Sequence, residues 1–321
     1  MQQPASAGQT HQNGYKMMKR IVLLLAAVAV SAGLSAQTGR YEQRYDLLVS
    51  QFGPAGPGVE TVLDNWCKAD STNAKMLLGK FSYYYTKAQT TQVEKKSVRK
   101  YLGMEPVLSL KDSTGADVHY YQVTLFDDEL YGEAVKAADK AIAIWPDRLD
   151  FRFMKANAYI AYEKESPDMA LAYLNSLIDE NMKRSRPWQY DGEEAGPDFF
   201  EDAMQEYCYS FYTIGSESSY EAFRALSMKL SGLYPDNMGF LNNLGSYYLV
   251  AKSDYKTAFK YYDKVLKQHP DDNTAIMNGM LAARKQKNIK KEKKYLEMML
   301  RYGSDNDKRL AEGRLVVLNR K

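Results

Sequence analysis

Chemistry needs groups that move protons, hold metals or attack carbonyls, and this chain is poor in them. Beyond residue 36 its histidines are His119 and His269. Each stands alone, with no cysteine or carboxylate pair at metal-ligand spacing. No G-x-S-x-G, Gly-rich phosphate loop or H-E-x-x-H appears. Cys67 sits beside Trp66, and Cys208 lies within EYCYSFY. Both read as free thiols on helices rather than as a bridge. The expectation is therefore no catalytic residue, no metal and no cofactor. An enzyme site around His119 is the alternative.

Charge is concentrated in two places. Asp191 to Glu206 carries Asp191, Glu193, Glu194, Asp198, Glu201, Asp202 and Glu206 without a lysine or arginine. That run suits a basic partner or a loose cation site. It equally suits a solvated loop followed by a helix N-terminus, where the dipole favours acids. Its D-x-E-E spacing does not match an ordered calcium loop. Arg284 to Lys294 is the reverse, with seven basic residues against Glu292. Such a helix is a candidate for contact with anionic membrane lipid, or simply has a lysine-rich wet face.

The elements that must hold these groups are mostly helices. Apolar stripes mark 41–51, 59–69 and 74–88, and Asp198 to Ile214 starts with a plausible cap, Asp198 answered by Glu201. Pro54 to Gly58 is a loop. PVLSLKDSTGADVHYYQVTLF, from Pro106 to Phe126, breaks the pattern: two β-rich runs, Val107 to Leu110 and Val118 to Phe126, flank a polar turn at Gly115. This hairpin must pack on the helices to be stable. It is read as a cover for a helical face, with a partner-gripping flap as the other option. Arg186 to Pro197 is irregular, and Gly303 precedes a last helix over 307–319.

One stretch organises the rest. Met238 to Pro270 reads MGFLNNLGSYYLVAKSDYKTAFKYYDKVLKQHP. Leu244-Gly245, Tyr248, Ala258, Tyr262, Val265 and Pro270 write two helical faces around a Lys-Ser-Asp turn. Small Gly245 and Ala258 permit close approach, and the proline stops the second helix. Ala134, Ala138, Ala141 and Pro146 repeat the second half of that spacing, and Ala156 and Tyr159 repeat the first. Ala170, Leu174 and Leu177 follow, then Ala222 with Pro235. Leu78-Gly79 matches Leu244-Gly245, and Glu292 stands where the second-helix alanine belongs. This resembles the tetratricopeptide repeat, a helical hairpin of about 34 residues.

The resemblance implies a mainly α fold, an α-α superhelix (TPR-like solenoid) with a small β-hairpin insertion around residues 106–126. The organisation expected is a signal peptide over 1–36, a loosely repetitive helical region over 37–105, the insertion over 106–126, repeats over 127–302 and a capping helix over 303–321. By resemblance, first helices line a concave face through repeat positions 5 and 9. These are Met76 and Lys80, Phe153 and Asn157, and Asn242 and Ser246. Some family members grip a peptide carboxylate with lysine and asparagine there. Asn157 fits that pattern, but Phe153 replaces the lysine.

Lys19-Arg20 ahead of IVLLLAAVAVSAGLSA, with small residues at its end, predicts a secretory signal peptide. Cleavage is expected after Ala36 or Ala32, with Met17 or Met18 as the true start. No cysteine follows either site, so no lipoprotein anchor is expected. Without residues 1–36 the bases fall from 43 to 40, against 40 acids. A formally neutral protein is a poor partner for nucleic acid. Asp70-Ser71-Thr72 and Asp112-Ser113-Thr114 resemble a short O-glycosylation acceptor pattern, and turn chemistry explains them as well. The reading that results is a non-catalytic exported scaffold, periplasmic or at the cell surface, binding a protein or peptide segment. A glycan-binding protein that uses its tyrosines and Trp188 is the alternative.

Overall fold

Side chains at the helix starts explain where most helices begin. The computed structural model describes residues 38–320, so the expected signal peptide lies outside them. In chain order the elements are α1 (38–52), α2 (Val59–Ala69), α3 (Ala74–Lys87), β1 (Gln89–Lys96), β2 (Leu108–Lys111), β3 (Asp117–Phe126), α4 (Asp128–Ile144), α5 (Leu149–Tyr162) and α6 (Asp168–Asn181). There follow β4 (Gln189–Tyr190), β5 (Glu193–Glu194), α7 (Phe199–Ile214), α8 (Glu217–Leu233), α9 (Met238–Val250), α10 (Tyr255–Gln268), α11 (Asn273–Lys285), α12 (Ile289–Tyr302) and α13 (Asp305–Asn319). Asn73, Asp127, Ser216, Asn237, Asp254, Asp272, Asn288 and Ser304 each accept a backbone N–H of the helix they precede. Each such cap stabilises by about 1 kcal/mol. Pro146, Pro235 and Pro270 stand just past the ends of α4, α8 and α10.

The chain forms two units. The first holds the residues up to Thr91 together with Thr124–Lys155. Here α3 and α4 form one helical hairpin, although residues 89–126 intervene. The Asp127 N–H donates to the Ala88 carbonyl at 2.8 Å, closing the insertion at its base. Leu78-Gly79 and the Ala134, Ala138, Ala141 series thus belong to a single repeat whose turn has been expanded. Its core gathers Leu63, Trp66, Met76, Leu77, Ala141 and Phe151. Gly79 is needed at the crossing, since a Cβ there would meet Leu63 at 2.8 Å and Tyr45 at 3.0 Å.

The second unit holds Gln92–Val123 and Ala156 onwards. β2 and β3 pair antiparallel with Leu108 opposite Tyr120 and Lys111 opposite Asp117, the hairpin that the sequence suggests. The sequence reading missed β1, which joins the far side of β3 in the order β1-β3-β2. Within the unit the segment after β1 is pinned down. Tyr121 Oη donates to the Val98 carbonyl at 2.7 Å, Tyr101 Oη donates to Glu165 at 2.5 Å, and a Cβ on Gly103 would lie 2.4 Å from the Thr213 carbonyl oxygen.

The helices of this unit pack as successive hairpins, α7 with α8, α9 with α10 and α11 with α12, and α13 covers α12. The fold class is mainly α, of the α-α solenoid type, with a small sheet inserted. Turns recur along with the helices. Ser253 (φ 50°) and Lys287 (φ 57°) are left-handed residues at the same place in adjacent hairpins, one repeat of about 34 residues apart. Two local expectations need correcting. Asp198 precedes α7 but makes no side-chain cap, since its own backbone is helical (φ −91°, ψ −7°) where a capping residue is normally extended, and Glu201 is engaged by the amide of Asn237. The irregular stretch 186–197 contains a tiny antiparallel ladder, β4 with β5, turning on Asp191 (φ 50°) and Gly192 (φ 86°). Positive φ at both turn residues is the geometry that Asp-Gly favours.

Candidate functional site

In the second unit the first helices of three hairpins lie side by side, α7, α9 and α11, and a groove of about 220 Å³ runs over them. Gln205 and Asn243 exchange reciprocal hydrogen bonds across α7 and α9, at 3.1 and 3.0 Å. Asn278 Nδ2 donates to Ser246 Oγ at 3.3 Å, joining α9 to α11. These four side chains make a polar floor. Tyr209, Tyr212, Leu249, Val250 and Leu281 supply the walls, and Tyr209 is 58% exposed. An amide has two N–H groups and two oxygen lone pairs. Gln205 and Asn243 spend one N–H and one oxygen lone pair each on the other, and Asn243 also meets the Cys208 thiol, so Gln205 holds more of the capacity left over from the exchange.

The six residues that the sequence reading put on a concave face fare unequally. Ser246 lines this groove. Asn242 does not: it is buried, and its Nδ2 donates to the carboxylate of Asp272, the cap of α11. Its neighbour Asn243 takes the groove position. Met76 is 0% exposed and Phe153 is buried, so both side chains lie in the core. Asn157 is exposed. Lys80 is held at 2.8 Å by Asp64 across the α2–α3 pair.

Below the groove, at the helix starts, Asp198, Glu201, Asp202, Asp236, His269 and Asp272 line an open depression. Asp236 and Asp272 come from turns that the acidic run 191–206 gave no hint of. Among the described residues no group of His, Cys, Asp or Glu is placed to hold a metal ion. His119 sits opposite Ser109 in the β2–β3 register, with its Nδ1 2.7 Å from the Ser109 hydroxyl. Cys67 and Cys208 are free thiols. Burial pushes the Cys208 thiol up to about 12, which makes it a poor nucleophile.

Trp188, the residue on which a glycan reading leans, is 5% exposed. The Arg184 guanidinium lies 3.5 Å over its ring, and Phe200 stacks nearby. A ring so enclosed has no open face for a sugar. The basic helix also spends part of its charge at home: Lys291 lies 3.6 Å over the Phe259 ring, and Lys294 is 3.8 Å from Asp263. Among the described residues no helix is long and apolar enough to cross a membrane. Asp70 and Asp112 each hold the threonine two residues on, through both its N–H and its hydroxyl, as ordinary turn structure.

No family model matches the chain, and no curated protein matches it significantly. Solved structures that align with it include Pseudomonas aeruginosa PilF, at 16% identity over 56% of this chain and 71% of that one, with a TM-score of 0.35. PilW, described as a widely conserved type IV pilus biogenesis factor, aligns at 10% identity over 85% of this chain and 97% of that one, TM-score 0.36. The tetratricopeptide domain of P58(IPK) aligns at 8% identity, 99% and 71% coverage, TM-score 0.31. Likeness this distant carries no weight for function. The tetratricopeptide-like character of the fold rests on the helical hairpins themselves, with their small residues under rings, their terminating prolines and their recurring turns.

Proposed function

We propose that the chain is a non-catalytic scaffold that binds a protein or peptide segment in the groove over α7, α9 and α11. The observation that carries this is the amide-paired floor, Gln205 with Asn243 and Ser246 with Asn278, between exposed Tyr209, Val250 and Leu281. An extended peptide offers alternating N–H and C=O groups, and carboxamides can answer both. Flanking aromatic and aliphatic side chains supply the apolar contact that anchors such segments. The sequence of residues 19–36 supports placing this scaffold among exported proteins of the cell envelope, in the periplasm or at the surface.

The test is site-specific photo-crosslinking in the native cell. A photoreactive residue at Tyr209 should trap a protein, while one at Met228, also exposed but on α8, should not. Trapping at neither position, or equally at both, would remove the groove from consideration.

A further inference from the structure

A second pocket, of about 240 Å³, lies where the segment after α6 meets the turn between α8 and α9. Its lining includes Asn181, Arg184, Arg186, Trp188, Glu201 and Tyr234. Three of these form a hydrogen-bond chain with a fixed direction. Trp188 Nε1 can only donate, and it donates to Asn181 Oδ1 at 2.8 Å. That sets the orientation of the carboxamide, so Asn181 Nδ2 must face Tyr234, at 3.0 Å, and donate to its hydroxyl. The Tyr234 oxygen therefore accepts, and its own proton is left to give. Its one described acceptor is the Met182 sulfur at 4.0 Å, a weak partner at the limit of contact. Burial raises the Tyr234 pKa, and Glu201 raises it further, so the hydroxyl keeps that proton at neutral pH.

We infer that this pocket is a binding site for a single carboxylate, taken by the Tyr234 hydroxyl and the guanidinium of Arg186. Arg184 lies over Trp188 with its Nε turned to the Arg186 carbonyl at 3.3 Å, fixing the segment that carries Arg186. Arg186 itself is exposed at the rim. A guanidinium and a hydroxyl together suit the two oxygens of a carboxylate. Glu201 sets the selectivity. Its carboxylate lines the same pocket, bound to Asn237, and works against every negative charge on the guest, so a doubly charged anion is opposed more than a singly charged one. Phosphate should therefore bind less well than a carboxylate. The volume admits roughly one residue, either a chain end or an acidic side chain.

The test is calorimetric titration of the full chain with N-acetyl-Ala-Ala as the free acid, the same dipeptide as its amide, N-acetyl-Ala-Glu-amide, and inorganic phosphate. At least one of the two carboxylate-bearing probes should bind, the neutral amide should not, and phosphate should be the weaker anion. Which carboxylate binds tells chain end from side chain. Tyr234→Phe keeps the ring against Phe240 and removes only the hydroxyl, and Arg186→Gln alters an exposed side chain. Each should weaken binding roughly tenfold, the ordinary value of a hydrogen bond to a charged group. Circular dichroism confirms that both variants remain folded. The inference is overturned if neither carboxylate binds, if phosphate binds as tightly, or if both variants bind like the parent.

Discussion

Gly245 of α9 and Tyr262 of α10 occupy one space: a Cβ on the glycine would lie 2.4 Å from a ring carbon of the tyrosine. Gly279 of α11 and Tyr295 of α12 repeat the relationship at the same 2.4 Å. The hairpins close because one helix lacks a side chain where the other presents a ring, and Tyr262 and Tyr295 are fully enclosed as a result.

Two opposing forces act on such a glycine. Alanine gains up to about 1 kcal/mol in a helix interior, while overpacking a filled core costs about 1–3 kcal/mol. Gly245→Ala and Gly279→Ala are expected to destabilise. Gly132→Ala and Gly313→Ala, where nothing lies within 4 Å, are expected to stabilise by about 0.5–1 kcal/mol. Urea titration of the four variants checks the sign of each. Stabilisation by Gly245→Ala would mean the two helices are further apart than described.

Glu292 of α12 is buried, its side chain 3% exposed, and Arg314 of α13 answers it at 2.7 Å. Removing one partner of a buried pair leaves an uncompensated charge, commonly at a cost of about 3–5 kcal/mol. In Arg314→Met, hydrogen exchange over 305–319 should quicken sharply while α9 and α10 keep their protection. The double change Glu292→Ala with Arg314→Met should restore part of it. Unchanged exchange in the single variant would show that the pair does not hold α13.

Glu221 on α8 receives Tyr247 Oη, then Lys252 at 2.9 Å and Arg224 at 2.9 Å. Those partners, the tyrosine hydrogen bond foremost, hold its carboxyl down to about 2. A pKa below the unfolded value stabilises the fold above that value and is lost as pH falls through the folded one. The contribution of Glu221 should therefore vanish between about pH 4.5 and 2. Thermal melts across this range should show a shallower decline for Glu221→Gln than for the parent; matching slopes would contradict the assignment.

Helix limits were legible because they are written locally: a polar cap at the start, a proline or glycine at the end. Val59 to Ala69 was read to the residue from its apolar stripe and the Pro-Gly loop ahead of it, although it starts on Gly58 without a side-chain cap. The strand β1 was not, since QTTQVEKK is exposed nearly throughout and lacks the apolar alternation that marks a half-buried strand. The Leu78-Gly79 repeat looked loose because its partner helix lies beyond a whole sheet. Asn242 is buried while the next residue, Asn243, lines the groove, because neighbours on a helix face about 100° apart and one residue of register separates core from groove. Glu292 looked like decay of the repeat until Arg314, distant in sequence, gave it a partner. The pocket at Tyr234 draws on three separated segments, and no local pattern announces it.

The two rows of helices in the second unit are fastened by different chemistry. First helices are joined mainly by carboxamides and a hydroxyl, Gln205 to Asn243 and Ser246 to Asn278, with Asn242 also donating to the Asp272 carboxylate. Second helices are joined by ions, Lys229 to Asp179 at 2.6 Å and Lys294 to Asp263 at 3.8 Å. Added salt weakens mainly the latter kind. The array thus has one rim that ionic strength loosens less than the other, so a brackish or dilute medium would act on how readily the stack flexes more than on the floor of the groove.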